Sequence, residues 1–161
     1  MIIAPNRPGS DQPVAAEPFR AQLQFLINSG GVSPDVIAEL ADVPVGRLLP
    51  LLRPPAAGGD DRIAADLGRR LIELTAAGVR ATRFELVPAE PVRAGLRRLR
   101  RSGWSLDRLT GYLRMRRPTL QQLLSGRAAC CTRLTQLRVA AALRGLDARR
   151  DERTPVRDRV A

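Results

Sequence analysis

Apolar residues recur at helical spacing in two separate stretches of the chain. Phe19, Leu23, Leu26 and Ile27 fall at i, i+4, i+7 and i+8, which places them on one face of a helix. Val92, Leu96 and Leu99 repeat that spacing. Ser29-Gly30 and Ser102-Gly103 close the two segments, with glycine free to take the left-handed conformation that ends a helix. Ser33-Pro34 signals a second helix, serine as N-cap and proline at the first helical position, and Ser105 has the same capping role later on. The pattern predicts second helices over about 34–41 and 106–113 and, after a tight turn, third helices over about 45–52 and 117–125. Fourth helices follow over about 62–77 and 132–146.

The two stretches are also alike residue by residue. Glu17-Pro18-Phe19-Arg20-Ala21 is echoed by Glu90-Pro91-Val92-Arg93-Ala94, an offset of 73. The extra Gly31 drops the offset to 72, and in that register Ser33 meets Ser105, Asp35 meets Asp107, Leu48 meets Leu120, and Leu51-Leu52 meets Leu123-Leu124. The expected fold is all-α, two tandem units of about four short helices each. Residues 17–78 form the first unit and 90–146 the second, joined by an extended connector, 79–89, whose Phe84 and Leu86 dock on the units. Residues 1–16 read as a flexible N-terminal segment and 147–161 as a mobile charged tail. Units of about 60 residues bury only about 60% of their unfolded surface, so the two are expected to pack together or to lean on a second chain.

Charge changes this picture. The chain has 161 residues, 27 basic and 16 acidic, no histidine, and a formal charge of +11. All the cations are arginine, as GC-rich coding sequence would produce. Their placement is not explained that way. Residues 1–89 hold 9 arginines against 10 acids, whereas residues 90–161 hold 18 against 6. Such asymmetry suggests that one half meets a polyanion and the other does not.

Other classes lose support. At 44% hydrophobic residues the chain is too apolar for a disordered charged tail, and it has no apolar run of membrane-spanning length. The start, MIIAPNRPGSDQ, has neither the basic nor the apolar region of a secretory leader, so a cytoplasmic, nucleoid-associated protein is expected. The absence of histidine removes the commonest general base and metal ligand, and the carboxylates stand singly or in loops. Gly58-Gly59-Asp60-Asp61 reads as a loop and N-cap, not a phosphate cradle, since no GK[ST] follows. Adjacent Cys130 and Cys131 make no metal knuckle and read as small residues at a helix start. No enzyme, metal or cofactor is expected.

The most specific signal runs from Ser105 to Arg127, SLDRLTGYLRMRRPTLQQLLSGR. Leu109, Leu113, Met115, Leu120 and Leu123 are spaced to form the small core between two helices crossing over a short turn. The stretch resembles the phage-repressor type of helix-turn-helix, in which a serine-capped helix, a turn and a recognition helix end in a Leu-Ser-Gly-Arg-like element. The tandem arrangement over about residues 17–145 is similar to two-repeat helix-turn-helix proteins of actinobacteria and their phages. That resemblance implies double-stranded DNA binding, with the third helix in the major groove. Two sites depart from the pattern: Thr110 stands where alanine is usual, and Arg114 where glycine is usual at the turn. The first unit keeps Ala38 but has Asp42 at its turn.

The third helices differ in what they offer. The second unit presents Arg116, Arg117, Thr119, Gln121, Gln122 and Ser125, polar groups suited to base edges, where arginine pairs well with guanine and glutamine with adenine. The first presents Val45, Gly46, Arg47, Leu49 and Pro50, a packing surface. Arg93, Arg97, Arg100 and Arg101 fall opposite the Val92/Leu96/Leu99 face and are candidates for the phosphate backbone, with Ser105, Arg108, Arg127 and Arg133. Trp104 reads as core and Tyr112 as half-buried helix surface or a backbone contact. The sequence therefore reads as a DNA-binding transcriptional regulator. Its alternative is an interaction module whose first unit pairs with a second copy or a polymerase partner through Leu48, Leu49, Leu51 and Leu52, with non-specific nucleic-acid affinity. Structured RNA fits the charge but not the reader helix, because A-form major grooves exclude helices.

Overall fold

Helices account for most of the residues that the computed structural model describes, which are 12–54 and 61–153. The chain divides into two compact units, one ending at Arg80 and the other beginning at Ala81. The fold is all-α, with strands of only two or three residues.

In the first unit, β1 (Val14–Ala15) pairs antiparallel with β2 (Arg62–Ile63), in the register Val14 opposite Ile63. Between them run α1 (Glu17–Gly30) and α2 (Pro34–Ala41); α3 (Ala65–Glu73) and α4 (Ala76–Ala81) follow. Leu23, Leu26, Val36, Ile37, Leu48, Leu51 and Leu71 are buried. The expected third helix over 45–52 does not form. Two 3-10 turns, Val45–Arg47 and Leu49–Leu52, take its place. Pro50 has no N–H to give an α-helix and its ring would strike the carbonyl four residues back, while at the start of a 3-10 turn neither matters. The expected helix over 62–77 is also broken. The chain is extended at Leu74, and the Thr75 hydroxyl accepts from Gly78 N at 3.0 Å, starting α4 afresh. The left-handed residue that ends α1 is Gly31, the extra glycine, whereas Gly30 is buried against Val79.

In the second unit, β3 (Leu86–Pro88) pairs antiparallel with β4 (Cys130–Thr132), Val87 opposite Cys131. Helices α5 (Ala89–Arg101), α6 (Leu106–Leu113) and α7 (Arg117–Ser125) lie between the strands, and α8 (Arg133–Arg153) follows. The expected extended connector over 79–89 is thus a helix end, a turn and a strand. The carbonyls of Thr82 and Glu85 accept from Leu134 N and Arg133 N at 2.8 Å each, answering amides that the first turn of α8 cannot satisfy itself. Phe84 and Leu86 do not dock; they are 81% and 70% exposed. Cys130 and Cys131 lie on β4, not at a helix start, one exposed and one buried. Burial pushes the Cys131 thiol above its ordinary pKa, with Cys130 adding to it, so this thiol is poorly suited to react as a thiolate. The helix also continues past 147, because Arg98 holds Asp147 and the following Ala-Arg-Arg favours helix. The expected flexible start is corrected at its end: Val14 and Ala15 pair in β1 and Ala16 is buried, its N–H donating to Asp61 O at 2.9 Å, while residues 1–11, the glycine loop at 58–60 and the remainder of the tail lie outside the described residues.

The core of this unit is Val92, Leu96, Leu99, Leu109, Leu113, Leu120 and Leu123, with Trp104 and Val139. Gly95 lets α5 approach α8: a Cβ there would meet Val139 Cγ1 at 2.6 Å. The turn between α6 and α7 sits on this core. Ser105 Oγ accepts from Arg108 N at 3.1 Å and opens α6; Ser33 has the same extended backbone but no such bond. Arg114 closes α6 in the left-handed region at φ 50°, and Met115 N reaches back to Thr110 O at 3.1 Å. Asp42 closes α2 in the same way at φ 51°. A Cβ costs about 1–2 kcal/mol there, partly offset by the greater freedom of glycine in the unfolded chain. Arg114→Gly should therefore raise the unfolding free energy by roughly 0.5–1 kcal/mol. Urea denaturation checks this; a fall would mean the arginine side chain holds the turn.

Candidate nucleic-acid interface

Leu120 and Leu123 anchor α7 on the core, and helical spacing turns its other positions to solvent. Arg117, Thr119, Gln121, Gln122 and Ser125 are exposed on α7, and Arg116 is exposed at its N-cap. Pro118, at the second helical position, loses no hydrogen bond there. Gln121, Gln122 and Ser125 share a shallow depression with Pro118 and Arg127. The six base-reading candidates thus occupy one helix and its cap. Arg117 also reaches Asp107 on α6 at 3.3 Å, an exposed pair that joins the two helices across the turn. No acid lies on α7 itself.

The phosphate candidates separate into two kinds. Arg97, Arg101 and Arg127 are exposed, and Arg97 makes only a long contact, 3.4 Å, to Leu124 O. Arg100 is exposed while donating to Trp104 O at 3.0 Å, and the Arg108 guanidinium lies 3.9 Å from the centre of the Trp104 ring. Trp104 is buried and meets half-buried Tyr112 edge-on at 5.5 Å. Ser105 serves as the cap of α6, and half-buried Arg133 bonds Gln136 at the start of α8.

Arg93 is different. Its Nε donates to Leu123 O at 3.0 Å, one amino group donates to Ala128 O at 3.2 Å, and the other meets Glu90. Both carbonyls lie at or just beyond the C-terminal turn of α7, where Leu123 O otherwise has only a long bond from Gly126 N at 3.3 Å. The guanidinium faces inward and secures the end of α7, where Gly126 is left-handed at φ 84°. Arg93 is a positioning residue for α7.

One further arginine stands out that the sequence did not mark for this role. Half-buried Arg138 on α8 donates to Leu113 O at 2.6 Å, completing the C-terminus of α6. Burial, and then the charges of Arg114 and Arg83, push its pKa below the ordinary arginine value. The signal available in sequence was slight: Arg138 lies one helical turn after Leu134, on a helix full of arginine.

In the first unit the corresponding segment is the pair of 3-10 turns. Leu48 and Leu51 are buried in that unit's own core and Leu52 is half-buried, which leaves Leu49 as the exposed member of the apolar set. Among the described residues no helix is long and apolar enough to cross a membrane. No protein-family model, curated protein or solved structure matches this chain.

Proposed function

We propose that the chain is a sequence-specific double-stranded DNA-binding protein acting as a transcriptional regulator, with α7 as the helix that enters the major groove. The observation that carries this reading is the division of α7: two leucines hold it to the core, while arginine, threonine, glutamine and serine occupy the outward positions with no acid among them. Donors and acceptors of this kind read the base edges, Arg117 towards guanine N7 and O6 and Gln121 towards adenine N6 and N7. Exposed Arg97, Arg101 and Arg127 supply affinity that is independent of sequence and weakens with salt. The regulator role is a step beyond binding and follows from the resemblance of the Ser105–Arg127 stretch to phage repressors.

The interaction-module alternative is less favoured, since Leu48 and Leu51 are spent on the first unit's interior. A mobility-shift selection from a random duplex library tests the reading. Arg117→Ala and Gln121→Ala should each lose roughly 10–100-fold of discrimination at one base position, with the fold intact. Unchanged preference in both variants overturns the assignment of α7.

A further inference from the structure

The two units build the same local joint and then give it opposite charge. In the first, Arg70 on α3 donates to Ala41 O and Asp42 O at 3.1 Å, and meets the Asp42 carboxylate at 3.4 Å. A guanidinium thus caps the end of α2, and the left-handed residue just after that helix supplies its counter-charge. In the second, Arg138 on α8 caps the end of α6 through Leu113 O. The left-handed residue just after that helix, at the position matching Asp42, is Arg114. The counter-charge has become a second cation.

This is a costly arrangement for a free protein. Arg138 is half-buried, and among the described residues its guanidinium meets one acceptor, the Leu113 carbonyl. Arg114 is exposed, and among the described residues no carboxylate pairs with it or with Arg138. Like charges gathered beside a low-dielectric core repel, and a bound anion relieves the repulsion. Guanidinium forks match phosphate oxygens in geometry as well as in charge.

We propose that Arg114 and Arg138 form a clamp for a phosphate of the DNA backbone, the phosphate supplying the negative charge that Asp42 supplies to Arg70 in the first unit. The clamp rests on the reading of α7 as a DNA helix. Arg114 stands three residues before Arg117, so a duplex whose bases meet the start of α7 runs its backbone past the turn. Arg114 occupies a backbone conformation that glycine would fill at lower energy, as expected of a residue kept for what its side chain binds.

The test uses the full chain with a selected duplex and with a random one. Arg114→Asp rebuilds the first unit's ion pair and should raise the thermal midpoint while lowering affinity for both duplexes by about tenfold or more. Arg114→Gly removes the charge without reversing it, on a fold that the glycine should not weaken, and should reduce the slope of log K against log[salt] by about 0.9, the value of one phosphate contact. Base preference should stay that of the parent protein, because the clamp meets no base. If both variants keep the parent's affinity and salt slope, the clamp is overturned while duplex reading by α7 stands. If the parent protein binds neither duplex at low salt, the reading of α7 fails, and the clamp with it. Sodium pyrophosphate separates a free ligand from backbone. Stabilisation of the parent by millimolar pyrophosphate, lost in Arg114→Asp with no change in duplex affinity, would overturn the backbone assignment in favour of a soluble phosphate.

Discussion

Leu120→Ala should lower the unfolding free energy of the second unit by about 3–5 kcal/mol, among the largest effects expected of any single substitution here. Leu120 is fully buried, in one cluster with Leu99, Leu109, Leu113 and Leu123 from three helices. Truncation removes three carbons from a close-packed interior and leaves a cavity that the surrounding helices cannot fill. Against a total stability of about 5–15 kcal/mol for a domain, this is a large fraction, and the joint that holds α7 loosens first. DNA binding should fall with it. The neighbouring Gln121→Ala, on the exposed side of the same helix, should change stability by no more than about 0.5 kcal/mol. Trp104 is the only tryptophan and is buried in the second unit, so its fluorescence follows that unit's unfolding by itself. A loss below about 1 kcal/mol for Leu120→Ala would mean that α7 is not anchored by this core.

The same leucines explain what could be read in advance. Leu109, Leu113, Leu120 and Leu123 repeat at helical spacing around a gap of six residues, which determines both helices, their buried faces and the exposure of Arg117, Thr119, Gln121, Gln122 and Ser125. The cap at Ser105 follows from local chemistry and was equally legible, whereas the left-handed turn at Arg114 was signalled only by the resemblance, which has glycine there. What escaped is non-local or too short to carry a period. β3 and β4 pair three residues each across more than 40 positions of chain, without alternation long enough to register as strands. In the first unit, Pro50 outweighed the leucine pattern around it and turned an expected helix into 3-10 turns. The arginines of α5 read alike in sequence because all lie off the apolar face. Which of them finds a carbonyl depends on where α7 ends, 30 residues away.

Arg93 is where that distinction has its largest consequence. Arg93→Ala should destabilise the second unit by about 2–3 kcal/mol, because it leaves the Leu123 and Ala128 carbonyls without their charged donor and removes the Glu90 pair. Arg93→Lys should recover only part of this, since an ammonium is a point charge and does not span two carbonyls as a planar fork does. Arg101→Ala, on the exposed side of the same helix, should stay within about 0.5 kcal/mol. Duplex binding separates the two arginines in the opposite sense. With the protein held folded, Arg93→Ala should weaken affinity through a displaced α7 and leave the salt slope unchanged, because no phosphate contact is lost. Arg101→Ala should reduce the slope by about 0.9 with base preference retained. A fall in slope for Arg93→Ala without loss of stability would return that residue to the phosphate-binding set. On the proposed reading, the two measurements together divide the cations of α5 between those that hold α7 in place and those that meet phosphate.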